Sequence, residues 1–319
     1  DVTFPLNMLT VVSGVSGSGK SSLVKRLLYP IMLKKLGGYG EKSGQHTAVE
    51  GDYSGLKNVE FVDQNPIGRS SRSNPVTYIK AYDEIRALFA RQKLSKIRGY
   101  QSKHFSFNVD GGRCDKCKGE GEIRVEMQFM ADVHLECDVC KGKRFKKEVL
   151  EVRFEGASID DVLNMTIDNA ISFFAKNKQP KITSRLQPLQ DVGLGYVTLG
   201  QSSSTLSGGE AQRIKLASFL VKGNTKDKSL FIFDEPTTGL HFHDIKKLLK
   251  SFDALLERGH SIVVIEHNIE LIKCADYLID LGPEGGDRGG SLIVAGTPEE
   301  VAQNANSYTA RYLQPKLGL

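Results

Sequence analysis

The chain opens with a short apolar, β-branched run, residues 8–13 (Met-Leu-Thr-Val-Val-Ser), without alternation, as expected of a strand buried on both faces. Residues 22–36 then space Leu23, Leu27, Leu28, Ile31 and Leu33 like the buried face of a helix. Residues 37–55 are glycine-rich and polar and predict a surface loop. Residues 59–62 predict a short strand, ended by Asp63-Gln64-Asn65-Pro66. After a basic, turn-rich loop at 69–75, a helix is expected over 77–91, with Ile79, Tyr82, Ile85, Leu88 and Phe89 on one face. Residues 123–133 and 149–154 read as strands. Ser158-x-x-Asp161 is an N-cap signal opening a helical stretch to about residue 190, interrupted at Pro180.

From residue 206 the pattern alternates regularly. An amphipathic helix to residue 220 is followed by a fully apolar strand at 230–234, a helix at 244–258, a strand at 261–265, a helix at 269–274 and a strand at 277–281. Non-alternating strands separated by helices predict an α/β fold with a mostly parallel sheet covered on both faces.

The middle of the chain differs in charge. Between Arg91 and Lys118 eight Lys/Arg stand against two Asp, which sets this stretch apart and predicts an insertion. The expected organisation is an α/β core at 1–70 and 206–319, an insertion at 71–155, and a helical subdomain at 156–205. At 319 residues the chain can build a large core, and 39% hydrophobic and 25% charged residues suit a soluble globular protein. No apolar run approaches the roughly 20 residues of a membrane span, and no secretory signal is visible, so a cytoplasmic protein without a membrane partner is expected. Asp1 at the start and a first methionine at Met8 suggest a piece of a longer protein.

The junction between the first strand and helix reads Gly14-Val15-Ser16-Gly17-Ser18-Gly19-Lys20-Ser21, followed by Ser22. This fits G-x-x-x-x-G-K-[ST] in its proper strand–loop–helix setting. Glycines let backbone N–H groups close around phosphate oxygens, and the helix N-terminus adds its positive end. Lys20 is placed to reach the β and γ phosphates and Ser21 to ligate Mg²⁺. The chain is expected to bind a nucleoside triphosphate with Mg²⁺.

Phe231-Ile-Phe-Asp234-Glu235 delivers two carboxylates at the end of an apolar strand, where α/β folds place ligands. Asp234 can hold Mg²⁺ or its water, and Glu235 can polarise an attacking water. Leu206-Ser207-Gly208-Gly209-Glu210 puts a hydroxyl and two glycines at a helix start, a second anion site suited to a γ-phosphate. The order of these motifs resembles the ATP-binding-cassette ATPases nearly end to end. The resemblance implies that Gln64 lies in the loop coupling nucleotide to a partner domain, that Gly239-Leu240-His241 follows the Asp-Glu pair, and that His267 is the switch histidine at the γ-phosphate.

Four of the five cysteines form two similar turns, Cys114-Asp-Lys-Cys117-Lys-Gly and Cys137-Asp-Val-Cys140-Lys-Gly. That spacing suits a closed tetrahedral Zn²⁺ site, with glycines letting N–H groups approach sulfur. A structural metal explains the pairs better than disulfides. A cassette with a four-cysteine zinc module inserted between the Gln loop and the signature resembles the DNA-damage-recognition ATPases of bacterial excision repair. The resemblance implies an ABC fold with a helical signature subdomain, damaged duplex DNA as ligand, and a site completed by an N-terminal cassette of the same protein. It further implies a second copy and a downstream pathway protein as partners, and weak ATP hydrolysis by the isolated cassette. The basic residues Arg98, Lys103, His104, Arg113 and Arg144 are the expected phosphate contacts. Two alternatives stay open: a relative that protects its producer from a DNA-binding drug, and a transporter ATPase module, although transporter cassettes lack a zinc insertion.

Overall fold

The computed structural model describes residues 1–68, 72–127, 133–221 and 227–319. These contain eight strands: β1 Leu9–Gly14, β2 Leu56–Val62, β3 Glu122–Val125, β4 Val133–Glu136, β5 Lys228–Asp234, β6 Ser261–Ile265, β7 Tyr277–Gly282 and β8 Ser291–Gly296. The chain divides into two compact units, Asp1–Gln64 with Lys222–Leu319, and Asn65–Val221. The signature helix, Gly208–Val221, belongs to the second unit rather than to the nucleotide core.

The first unit is built on a six-stranded sheet in the order β2-β5-β6-β1-β7-β8. All neighbours run parallel except β7 and β8, which are antiparallel. Apolar runs without alternation produce this because both faces must be covered, and Val11, Val12, Ile232, Val263, Val264 and Ile279 are each at most 1% exposed. Each such side chain contributes roughly 1.5–3 kcal/mol by leaving water. The first helix is wound as a π-helix over Ser22–Leu28 and as an α-helix over Tyr29–Lys35. Residues 38–53 carry no helix or strand and are mostly exposed, as expected of the polar stretch. Strand β8 and the helices Pro298–Ala302 and Tyr308–Leu317 complete the unit and were not predicted.

One buried carboxylate ties the start of this unit to its end. Asp280 on β7, 2% exposed, accepts hydrogen bonds from the hydroxyls of Ser13 (2.6 Å), Ser307 (2.7 Å) and Thr309 (2.7 Å). Three hydroxyl donors offset part of the desolvation cost of placing it in the core.

In the second unit the helix expected at 77–91 is two helices, Pro75–Tyr78 and Ala81–Ala90, separated by Lys80 in the left-handed region (φ 60°). Asn74 explains the early start: its side chain accepts from Thr77 N at 3.0 Å while Thr77 Oγ1 accepts from Asn74 N, a capping box. The predicted apolar face is buried throughout. Ser158 and Asp161 cap the helix Ile159–Leu163 reciprocally, and Pro180 occupies the first turn of Pro180–Asp191.

Three other expectations change. Residues 149–154 are not a strand: Lys147–Leu150 is a helical turn, and Val149 and Val152 are both buried at helical spacing. Residues 123–133 form parts of two antiparallel strands, β3 and β4, and residues 128–132 lie outside the described residues. The signature helix is not amphipathic. Gly209, Ala211, Gln212, Arg213, Ile214, Leu216 and Ala217 are all buried, which covers it on nearly every side. Among the described residues no helix is long and apolar enough to cross a membrane.

Candidate nucleotide-binding and metal sites

In a parallel sheet the loops at the carboxyl ends of adjacent strands converge, and the first unit places its chemistry there. Register pairs Asp234 with Ile265 and Ile265 with Val12, so the ends of β5, β6 and β1 lie side by side. They deliver Asp234 and Glu235, then Glu266 and His267, then the loop Gly14–Ser21. The end of β2, beside β5, delivers Gln64.

The loop turns on glycines in left-handed backbone. Gly14, Gly17 and Gly19 have φ of 133°, 78° and 96°, and a Cβ on Gly14 would lie 2.0 Å from the carbonyl oxygen of Leu281. A second glycine-rich loop packs against it: Gly286 N donates to Gly17 O at 3.2 Å and Gly290 N to Ser18 O at 3.1 Å. Lys20 is 5% exposed, and its ammonium donates to the carbonyls of Gly14 (2.9 Å) and Val15 (2.8 Å). Burial lowers its pKa, opposed by the nearby charges of Glu235 and Asp280. Ser16, Ser21 and Ser22 are at least partly exposed at the lip of this cradle, and Ser18 is buried within it.

Burial, and then the neighbouring Glu235, raises the pKa of Asp234. Glu235 has φ 47°, a conformation that costs a non-glycine residue about 1–2 kcal/mol. The turn is held nonetheless, with Glu235 N donating to Ile265 O at 3.0 Å and Thr238 Oγ1 donating to Glu235 O at 2.9 Å. Gln64 Nε2 adds longer contacts, 3.4 Å to Glu235 O and 3.4 Å to Thr238 Oγ1. His267 Nε2 stands 3.5 Å from Glu235 Oε1. Thus Gln64, Glu235 and His267 meet, on a carboxylate strand beside a phosphate loop. His241 caps the helix Phe242–Leu256.

Sequence reasoning missed Glu266 and Thr237. Glu266, 2% exposed, accepts from Thr237 and from the N–H groups of His267 and Asn268. A charged residue ending a fully apolar strand was the available signal.

In the second unit, Ser207 and Glu210 form a capping box at the signature: Glu210 N donates to Ser207 Oγ at 3.2 Å and Ser207 N to Glu210 Oε2 at 2.7 Å. Tyr196 OH donates to the other Glu210 oxygen at 2.7 Å. Burial opposes ionisation of Glu210, but Tyr196 and Ser207 outweigh it and hold its carboxyl below the usual range. Glu210 therefore shapes the helix start that presents Gly208 and Gly209.

The four cysteines Cys114, Cys117, Cys137 and Cys140 are buried, with their sulfurs within 4.8 Å of one another. The Cys114–Cys137 and Cys117–Cys140 sulfurs are 3.9 and 3.6 Å apart, close to the roughly 3.8 Å that four bonds of about 2.3 Å impose on a tetrahedron. Both turns repeat one backbone device: Lys118-Gly119 and Lys141-Gly142 each have two successive positive φ angles. Gly121 N donates to Cys117 Sγ at 3.3 Å. Burial works against a thiolate at Cys137, yet the N–H groups of Cys140 and Val139 prevail and bring its pKa down to about 7. The donor set fits a closed metal site, and Cys274 stands outside it, exposed.

Three of the residues expected to contact DNA also make contacts within the second unit. Arg98 pairs with Glu151 and donates to Glu148 O, Arg113 pairs with Asp110 at 2.7 Å, and Arg144 donates to Gly200 O at 2.9 Å over the Phe107 ring. His104 stacks on Tyr100 at 5.0 Å, its Nδ1 accepting from Gln101 N. Phe105 and Phe107, interleaved with these residues, are fully buried. Lys103 is exposed.

No family model matches the chain. It is 52% identical over 317 residues to UvrABC system protein A of Clostridium acetobutylicum and 54% identical over 317 residues to that of Staphylococcus epidermidis. Each match covers 99% of this chain and 33% of the relative, so the chain spans about a third of the length of the curated relatives it matches. The crystal structure of UvrA2 from Deinococcus radiodurans superimposes with a TM-score of 0.89 at 44% identity, over 99% of this chain and 37% of that one. By sequence and by backbone alike, the chain is homologous to one third of UvrA and has its α/β ATP-binding-cassette fold.

Proposed function

We propose that this chain is the second, C-terminal nucleotide-binding cassette of a UvrA protein, an ATPase that recognises damaged DNA in bacterial nucleotide excision repair. The observation that supports it most is the row of strand ends carrying Lys20, Asp234–Glu235 and His267, in a chain that also holds the four-cysteine module and the UvrA relatives' sequence. Bound ATP·Mg²⁺ would supply the cleavable phosphoanhydride, with Ser21 and Asp234 as the protein's ligands to the ion. Lys20 and the N–H groups of the glycine loop bind phosphate charge. Glu235 orients and deprotonates a water, a role worth about 10²–10⁴ in rate. His267, beside it, holds the γ-phosphate. Zinc is the metal that the buried cysteine set suits, in a structural role.

Damaged duplex DNA, the N-terminal cassette of the same protein, a second UvrA copy and UvrB are the partners of this reading. The chain has one phosphate loop and one signature, and in the family ATP is sandwiched between the loop of one cassette and the signature of another. The chain alone is then a pair of half-sites that binds ATP and hydrolyses it slowly. The test is ATP turnover per chain against protein concentration, with Ser207→Arg mixed against Lys20→Ala. A shared site gives turnover that rises with concentration and partial rescue on mixing. A rate independent of concentration and of Ser207 refutes it.

A further inference from the structure

Glu266 lies one residue beyond β6, outside the phosphate loop and outside the signature. Its carboxylate accepts four hydrogen bonds: from Thr237 N at 3.0 Å, from the Thr237 hydroxyl, from His267 N at 2.6 Å and from Asn268 N at 2.9 Å. We infer that Glu266 is a positioning residue for hydrolysis, fastening the turn after Glu235 to the turn that carries His267 and so setting the spacing of those two side chains. The inference rests on the reading of Glu235 and His267 as the hydrolytic pair.

The turn after Glu235 needs such a fastening. Glu235 is held in the left-handed region with its N–H on Ile265 O, and Thr238 closes back on the Glu235 carbonyl. The first of those bonds joins the two strand ends through the backbone, and the second is local to the turn. Thr237 is anchored instead through the side chain of a residue 29 positions away in sequence, and the anchor is the residue whose own neighbour is His267. Any shift of one turn is thereby transmitted to the other. Misplacement of reacting groups by about 1 Å can cost 10²-fold in rate, so a buried clamp on both turns bears on turnover more than on binding. Glutamine keeps the size of Glu266 but turns an NH2 group against two of the donors that the carboxylate accepted.

The experiment compares Glu266→Gln, Thr237→Val and Glu235→Gln in the longest native form of the protein. It measures kcat and KM for ATP, ATP affinity without turnover, Tm, and amide hydrogen exchange. E266Q should lower kcat by about 10–100-fold with KM and ATP affinity changed less than about threefold. T237V, which removes one hydroxyl, should lower kcat in the same sense by a smaller factor, and the double variant should be no slower than E266Q. The amides of Thr237, His267 and Asn268 should exchange faster in E266Q. Wild-type kcat in E266Q, or a fall in ATP affinity that matches the fall in kcat, overturns the inference. If E266Q does not fold, T237V decides it, and wild-type kcat there overturns it. Full turnover in E235Q would instead refute the hydrolytic reading itself.

Discussion

His267 Nε2 lies 3.5 Å from Glu235 Oε1, and each side chain is a little under half exposed. The pair lies at the same strand ends as the loop Gly14–Ser21. Lys20, by contrast, is buried and already engaged with loop carbonyls. This contrast divides the labour. Lys20→Ala should abolish ATP binding, whereas Glu235→Gln should keep binding and lose at least 10²-fold in turnover. Equilibrium titration of nucleotide against both variants checks it, and equal losses of affinity would contradict the division.

Removing one cysteine of the cluster should release the metal. Cys137→Ser should lower zinc from one ion per chain to near zero and destabilise the second unit, because the site's binding free energy is also folding free energy. Cys274→Ser, outside the cluster, should leave both unchanged. Elemental analysis with thermal melting reads the outcome, and a metal content unaffected by C137S would show that the cluster holds no ion.

The basic residues of the insertion separate into two kinds. Lys103→Ala should weaken duplex binding uniformly across sequences and flatten the log–log salt dependence by about one unit. Arg113→Ala and Arg144→Ala should also lower Tm, since Arg113 pairs with Asp110 and Arg144 holds Gly200. Salt-series binding with melting curves distinguishes them. An unchanged slope in K103A would remove that lysine from the contact surface.

His260 predicts an acid-sensitive step in stability. It is 5% exposed, its Nδ1 accepts from Ser229 N at 3.0 Å, and Phe231 lies edge-on at 5.2 Å. Burial, and then Arg258, lowers its pKa below the ordinary 6.5. The unfolded chain therefore takes up the proton first, and stability falls as pH drops from about 6.5 towards the folded value, by at most about 1.4 kcal/mol per pH unit. Above about pH 7 His260 contributes no pH dependence. His260→Asn should flatten the Tm profile between pH 7 and 5.

The phosphate loop, the carboxylate strand and the cysteine turns were legible because each depends on residues within a few positions of one another. Gly14, Gly17 and Gly19 announce positive φ, and Cys114-x-x-Cys117 announces a turn. The partners of Glu266 were not legible, because Thr237 reaches it from the end of a different strand and no local pattern records that pairing. The burial of Phe105 and Phe107 was not legible either. Among basic residues they resemble an exposed stacking surface, yet Tyr82 stacks on Phe107 at 5.1 Å and donates to Phe105 O at 2.7 Å, which makes them core. Residues 149–154 show the limit of periodicity: Val149 and Val152 serve a helical turn as readily as a strand.

The link from Ser13 to Asp280 spans 267 residues, and β1 is paired only with β6 and β7. At about 5–20 residues per second, β1 emerges on the order of 10–50 s before the strands that flank it. In that interval residues 65–221, a compact unit by themselves, are completed and free to collapse. The apolar β1 waits with both edges unpaired, a template for aggregation unless something shields it. The nucleotide cradle is among the first parts of this chain to be made and among the last to take shape.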